Sequence, residues 1–188
     1  MLHKPKSVVV TRRDELGRKT IYDVLPGWAE AEGWVPIGRL DRDSRGLLLL
    51  VEDSHLVEML GAPGSHSKTY EVWIRGRISD ADLARIQKGV PSPVGTLKCA
   101  SVSVLRTIGP RTMLRVTLDE GKNRHLRRMF GALKDPARGT ALKVLELKRT
   151  DFGPVKLDIP SGRWRFLTPQ EVRALLGESP SQRKINGV

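Results

Sequence analysis

The charged segment at residues 38–46 concentrates side chains that could do chemistry. Its nine residues include two carboxylates, Asp41 and Asp43, together with three arginines and two glycines. A short apolar run, residues 47–51, follows at once and predicts a strand buried on both faces. Carboxylates attached to such a strand can be held rigidly near the interior, as a catalytic or binding site requires. An ordinary solvated turn before a strand is the alternative.

A second unusual segment, residues 120–130, is rich in cations. Residues 122–128 contain four cations and no acids, although a salt-bridged surface normally alternates signs. Gly121 and Asn123 can open a helix whose first turn offers free backbone N–H groups to a phosphate. A surface helix with a solvated basic face is the alternative. The four cations are Lys122, Arg124, Arg127 and Arg128.

Two periodic patterns predict the elements that position these segments. After the basic segment begins, apolar residues recur with spacings i, i+3, i+4 and i+7, which predicts a helix with one buried face. Residues 68–74 alternate and predict a strand with Tyr70, Val72 and Ile74 on one side. The helical apolar positions are Leu126, Met129, Phe130 and Leu133.

The rest of the chain shows strand and turn patterns more often than helical ones. Capping residues and glycines set the predicted helix ends. The predicted elements are a strand at 7–11, a short helix at 21–25, a helix from 53 or 54 to 60, a helix from Ser79 to Gly89, a hairpin of 100–105 with 113–118, strands at 141–147 and 164–167, and a helix from Thr168 to about Gly177.

Composition narrows the class of protein. The 188 residues suit one domain, and no apolar run approaches a membrane span or a signal peptide, so we expect a cytoplasmic protein. Cys99 is the single cysteine, and the four histidines lack metal-ligand spacing, so no metal or redox role is expected. The formal net charge of +12 predicts a polyanionic partner, of which a nucleic acid is the leading class.

Several motifs together resemble one known family. These are Gly38-Arg39-Leu40-Asp41 before Gly46-Leu47-Leu48, then Lys68-Thr69-Tyr70-Glu71-Val72, and Gly121-Lys122-Asn123-Arg124-His125-Leu126-Arg127-Arg128-Met129. In this order and spacing they are similar to the RsuA-type ribosomal RNA pseudouridine synthases, over roughly residues 2–175. The resemblance implies an α+β fold of two lobes, built on a mixed, mainly antiparallel sheet with flanking helices and a basic cleft whose floor holds Asp41.

The resemblance also implies roles for individual residues. Asp41 matches the family's catalytic nucleophile, Tyr70 the tyrosine that stacks on the flipped base, and Arg127 the arginine that pairs with the aspartate. Leu126 matches the apolar residue against the base, and Arg39 an arginine that fills the gap the base leaves. Flipping a base costs a few kcal/mol, so phosphate-binding cations are needed as well. The expected remaining substrate-binding residues are Lys4, Lys68, Lys122, Asn123, Arg124, Arg128 and Arg42.

Two features depart from the family pattern. His125 stands where the family usually has glutamine, which predicts a different pH behaviour for any contact made there. Many relatives carry a small RNA-binding S4 domain before the catalytic domain, whereas this chain resembles the short large-subunit synthases without it; a truncated chain would look the same. We expect residues 1–177 to form the catalytic domain and residues 178–188 a polar tail.

The functional expectation is isomerisation of a specific uridine in ribosomal RNA, most plausibly 23S, by base flipping and aspartate attack. The partner would be ribosomal RNA or a ribosomal assembly particle, and the protein would act as a monomer without metal or cofactor. Two alternatives stay open: a non-catalytic RNA-binding module on the same fold, for which Asp41 is dispensable, and a glycosylase that releases the base.

Overall fold

The computed structural model describes residues 1–177, so the predicted tail at 178–188 lies outside the described residues. Nine strands and five helices are found within residues 1–177. The strands are β1 Leu2–Lys4, β2 Val35–Pro36, β3 Arg45–Leu48, β4 Leu50–Val51, β5 Lys68–Arg75, β6 Ser101–Ile108, β7 Arg111–Leu118, β8 Lys143–Phe152 and β9 Val155–Lys156. The helices are α1 Gly27–Ala31, α2 His55–Gly61, α3 Asp80–Lys88, α4 His125–Gly131 and α5 Pro169–Leu176.

A seven-stranded mixed sheet forms the centre of the fold. Its strand order is β1-β3-β8-β5-β7-β6, with β9 added to β8, while β2 and β4 form a separate pair. β3 and β8 run parallel, and the other pairings within residues 1–177 are antiparallel. The predicted α+β fold with a mixed, mainly antiparallel sheet is therefore confirmed.

Strand β5 lies between β7 and β8 and confirms the predicted alternation. Tyr70, Val72 and Ile74 are buried, whereas the intervening residues are only partly buried. Tyr70 pairs with Val116 on one side and Arg149 on the other. The position of the tyrosine is thus fixed by two neighbouring strands.

The strand predicted at residues 47–51 is buried on both faces as expected, but it is divided: β3 ends at Leu48, and Leu50 and Val51 form β4 in the separate pair with β2. Leu48 belongs to one hydrophobic cluster of the core, and Leu47 and Leu49 to the other. Gly46 allows β3 to approach β8 closely, because a Cβ there would lie 2.5 Å from the backbone nitrogen of Arg149. Its φ of 118° also lies in the region that favours glycine.

Helix α4 packs its predicted apolar face into the core. Leu126, Met129 and Phe130 are buried in the larger cluster, and so is Leu133, which lies two residues beyond the end of the helix. The hairpin β6–β7 and the capped helices are confirmed too: the Ser79 hydroxyl accepts a hydrogen bond from the Asp82 backbone nitrogen, and Thr168 forms a complete capping box at the start of α5.

Two predictions near the amino end are wrong. Residues 7–11 do not form a strand: Ser7 has a left-handed φ of 65°, and only a bridge from Val9 to Thr20 remains. The Ser7 N–H donates instead to the carbonyl of Arg42, 2.8 Å away. Residues 21–25 make turns rather than a helix, because Pro26 follows, and α1 begins after it.

Two strand predictions near the carboxyl end need correction. Strand β8 begins at Lys143, not residue 141, and continues beyond residue 147 to Phe152 because it pairs with β5 along that length. Residues 164–167 form no strand; Trp164 makes an isolated bridge to Leu2. The periodicity of a short segment could not show how far its partner strand extends.

Candidate active site

The Asp41 carboxylate is presented by a tight turn at the start of β3. The Ser44 N–H donates to the Asp41 carbonyl at 3.0 Å, which closes the turn. The amino-terminal segment also holds this turn. The Ser7 N–H and the Lys4 ammonium both donate to the Arg42 carbonyl, at 2.8 and 3.4 Å. The backbone that carries Asp41 is therefore fixed from two directions.

Lys4 is a structural residue of this turn and not an exposed phosphate ligand, so that prediction is wrong. It is fully buried, and its ammonium donates to the carbonyls of Pro5 and Ser44 at 2.8 Å each. Burial lowers the pKa of Lys4 to about 8, partly offset by attraction to Asp41 and Asp43. A lysine so enclosed cannot reach a phosphate from solvent.

Lys68 was also predicted to bind substrate, but it lies in the interior. It is buried, and its ammonium lies 5.0 Å from the centre of the Phe152 ring. Burial is the main cause of its lowered pKa, and the nearby charge of Arg149 adds to it. The alternation of β5 puts Lys68 on the same buried side as Tyr70.

The structure brings Asp41, Tyr70, Leu126 and Arg127 to one small cavity of about 90 Å³. The Arg127 Nε lies 3.5 Å from the Asp41 carboxylate, whose side chain is 32% exposed. Tyr70 and Leu126 supply the apolar wall. The cavity thus combines an accessible carboxylate, a cation and an aromatic face.

Arg127 is held in place from the side opposite the carboxylate. Its Nη1 donates to the carbonyl of Val144 in β8 at 3.3 Å, and the side chain is only 16% exposed. Its Nε and Nη2 are buried and make no hydrogen bond within residues 1–177. Buried donors left unpaired are uncommon and occur at functional sites. The arrangement keeps the guanidinium charge available to the Asp41 carboxylate.

Arg124 adds a second cation through a strained backbone. It precedes α4 with φ 50° and ψ 35°, in the left-handed region, which costs a residue other than glycine about 1–3 kcal/mol. Its Nη1 lies 3.9 Å from the Asp41 carboxylate, and its side chain is half exposed. The strained backbone thus occurs at the residue that directs a cation toward Asp41.

The other predicted cations lie outside the small cavity or on its edge. Lys122 lines the cavity, but its ammonium donates to the Thr96 carbonyl at 2.9 Å and pairs with Glu120 at 3.1 Å. Arg128 donates to the Asn123 side chain at 3.1 Å. These contacts orient the cations around the first turn of α4.

A large groove of about 1020 Å³ opens onto the cavity. Its walls come from residues 9–18, 38–43 and 121–124, and it shares Arg39 and Asp41 with the cavity. Arg42 lines the groove and pairs with Asp43 at 3.2 Å. The groove therefore has cations on several walls and the Asp41 carboxylate where it meets the cavity.

Sequence reasoning missed the wall at residues 9–18, since it placed residues 9–11 in a strand and assigned no role to residues 12–18. It also missed Ser44, Leu118 and Leu147, which line the cavity. The dense cations of residues 12–19 were the available signal. The three cavity residues carry no chemical signature, because a serine after an aspartate and two strand leucines are common structural residues.

His125 is buried beside the cavity. Its Nε2 lies 3.0 Å from the Lys98 carbonyl, which can only accept, so Nε2 carries a proton. Burial is the main cause of its lowered pKa. These observations favour a neutral imidazole that ties the start of α4 to the segment before β6.

The part of the chain that the structure describes lacks two further classes of feature. None of its helices is long and apolar enough to cross a membrane. No group of three or more potential metal-ligating side chains is found there either.

Comparison with known proteins identifies the family. A sequence model described as RNA pseudouridylate synthase matches residues 1–132. The chain belongs to this family. Its fold is also similar to a crystal structure of a pseudouridylate synthase, with a TM-score of 0.75 and 27% identity over 93% of this chain and 71% of the other. The family resemblance drawn from the motifs is thereby confirmed.

Named relatives in the family include enzymes called ribosomal large subunit pseudouridine synthase B. The protein from Haemophilus influenzae is 33% identical over 178 residues, which are 93% of this chain and 48% of the relative. The protein from Escherichia coli strain K12 is 32% identical over 168 residues, 88% of this chain and 55% of the relative. The chain spans about half the length of these family members.

Proposed function

We propose that residues 1–177 form a catalytic domain that isomerises a uridine of ribosomal RNA to pseudouridine, with Asp41 as the nucleophile. The observation that carries the proposal is the Asp41 carboxylate, 3.5 Å from Arg127 in a cavity walled by Tyr70. A nucleophilic carboxylate must be ionised, and an adjacent guanidinium favours that form. Tyr70 and Leu126 offer the flat and apolar surfaces on which a flipped uracil can pack.

The groove supports RNA as the substrate. A base reaches the cavity only after it leaves its stack, which costs a few kcal/mol. Cations on the phosphates compensate for part of that cost. Arg39 borders both groove and cavity, where it can occupy the space left by the base. The proposed phosphate and substrate ligands around it are Arg42, Lys122, Asn123, Arg124 and Arg128.

The proposed reaction changes one bond and leaves the formula unchanged. Attack by the Asp41 carboxylate, at the sugar carbon or at the base ring, accompanies cleavage of the N1–C1′ bond. The detached uracil rotates within the cavity, and a C5–C1′ bond forms as the carboxylate leaves. The proton lost from C5 is balanced by one gained at N1. Tyr70 and Leu126 retain the base during rotation, while Arg127 stays beside the carboxylate as its ion-pair partner.

The relatives' names support the proposed substrate class. Because the named relatives are large-subunit synthases, we propose 23S ribosomal RNA, free or in an assembly particle in the cytoplasm. The two steps of the proposal, catalysis and RNA class, can be tested separately.

The experiment measures tritium release from 23S transcripts labelled at C5 of uridine. The wild-type chain should release tritium to water, because C5 loses its proton when the new bond forms. Asp41→Asn should release none, whereas Asp80→Asn, an exposed aspartate on α3, should match wild type. Release by Asp41→Asn at the wild-type rate would reject the catalytic role. Tritiated free uracil in place of tritiated water would indicate a glycosylase.

A further inference from the structure

The groove has one wall, residues 11–18, that the proposed chemistry does not use. This segment is here called the Leu16 loop. It lines the same groove as residues 38–43 and 121–124. The groove that it borders contains the Asp41 carboxylate. The Leu16 loop and the Asp41 carboxylate thus line the same groove.

The Leu16 loop is ordered by its own contacts. The Asp14 carboxylate accepts hydrogen bonds from the Arg18 Nε at 3.0 Å and the Arg18 backbone nitrogen at 2.7 Å. The Gly17 N–H donates to the Asp14 carbonyl at 3.1 Å, and Gly17 has a φ of 66°. The hydrogen bonds with Arg18 lower the pKa of Asp14 to about 2, so the carboxylate that accepts them is ionised at neutral pH.

Leu16 lies within the turn that the hydrogen bonds from Gly17 and Arg18 to Asp14 close. It is 74% exposed, the most exposed of the large apolar side chains in residues 1–177. A single exposed leucine is ordinary on a protein surface. This one differs because it lines the groove that contains Asp41, where Arg13 and Arg42 supply cations and Glu15 an acid. An apolar side chain in a groove lined by cations can insert between bases and stabilise an unstacked step.

We infer that Leu16 is a substrate-contacting residue that packs against a nucleobase next to the flipped uridine. The inference rests on the proposed function for the identity of the flipped base. Arg13 binds a flanking phosphate, whereas Arg18 pairs with Asp14 and holds the turn that carries the leucine. Arg39 and Leu16 then lie on different walls of the groove. Arg39 fills the gap left by the uridine, and Leu16 packs against the adjacent base.

The first test compares two apolar truncations on unmodified 23S transcript. Leu16→Ala should lower kcat/KM for tritium release roughly tenfold, the scale of one lost contact with a base. Ile108→Ala is the matched control, since Ile108 is 57% exposed but lies at the β6–β7 hairpin, and it should match wild type. Because no charge changes, the salt dependence of RNA binding should be the same for all three proteins. Equal kcat/KM for Leu16→Ala and wild type would overturn the inference.

The second test separates this inference from the proposed function. With a photoreactive benzoylphenylalanine at position 16, irradiation in the presence of 23S transcript should crosslink a nucleotide within two of the modified uridine. A crosslink at a site far from that uridine, or no crosslink, contradicts the Leu16 contact even if pseudouridine forms. A single crosslinked site, on a transcript in which the wild-type chain forms no pseudouridine, contradicts the proposed function while supporting the contact with a base.

Discussion

Replacement of Lys4 by methionine tests how the Asp41 turn is built. Lys4 is fully buried, and its ammonium donates to the carbonyls of Pro5, Arg42 and Ser44. Methionine keeps an unbranched apolar chain of similar length but carries no titratable group. The comparison therefore isolates the free energy of burying this one charge.

The magnitude follows from the pKa. Burial lowers the pKa of Lys4 from 10.5 to about 8, and each unit corresponds to about 1.4 kcal/mol. The folded protein thus disfavours the charged lysine by about 3 kcal/mol relative to the unfolded chain. Between pH 8 and 10.5 the unfolded chain holds a proton that the folded chain has released, so the stability of wild type rises with pH over this window.

The assay is urea unfolding of wild type, Lys4→Met and Lys6→Met from pH 7 to 10.5. Relative to Lys4→Met, wild type should gain about 1 kcal/mol by pH 9 and about 3 kcal/mol by pH 10.5. Lys6→Met changes a lysine whose side chain is 42% exposed, and it should follow the wild-type curve because Lys4 remains. Parallel curves for wild type and Lys4→Met would refute the view that Lys4 is buried as a charged group at neutral pH.

Three further substitutions probe the geometry around the site. Gly46→Ala should destabilise the fold by at least about 3 kcal/mol in urea unfolding, because its Cβ would meet the Arg149 backbone at a φ that alanine avoids; a loss under 1 kcal/mol would contradict this. Arg124→Asn should keep the free energy of unfolding within about 0.5 kcal/mol of wild type, since asparagine tolerates the left-handed region. Tritium release should slow about tenfold. Unchanged release would show that the reaction does not use the charge of Arg124. Arg127→Ala should slow release about a hundredfold through loss of the cation beside Asp41, with RNA affinity little changed; a pure loss of affinity would assign Arg127 to binding instead.

Local patterns predicted much of the fold. The alternation of residues 68–74 was sufficient for β5, because a strand with one buried face has a period of two. Ser79 and Thr168 marked helix starts, since their hydroxyls satisfy free backbone N–H groups of the first turn. These predictions succeeded where a few neighbouring residues decide the structure.

Long-range contacts explain what the sequence could not predict. Lysine is a residue type that usually lies on the surface. The carbonyls of Arg42 and Ser44 that accept hydrogen bonds from Lys4 belong to a distant part of the chain. Ser7 is not in strand geometry, because its N–H donates to the Arg42 carbonyl in the turn that carries Asp41. The proximity of Asp41 to Arg127 came from the family resemblance alone, because no local pattern relates residues so far apart.

The most direct measurement of the central claim is a carbodiimide primer-extension map of ribosomal RNA. Cells lacking this protein would be complemented with wild type or Asp41→Asn, and pseudouridine would be detected as a carbodiimide-dependent stop. The account predicts that one stop in 23S ribosomal RNA is lost in the deletion strain and returns only with wild type. If no stop changes, or if Asp41→Asn restores it fully, Asp41 does not catalyse uridine isomerisation in ribosomal RNA.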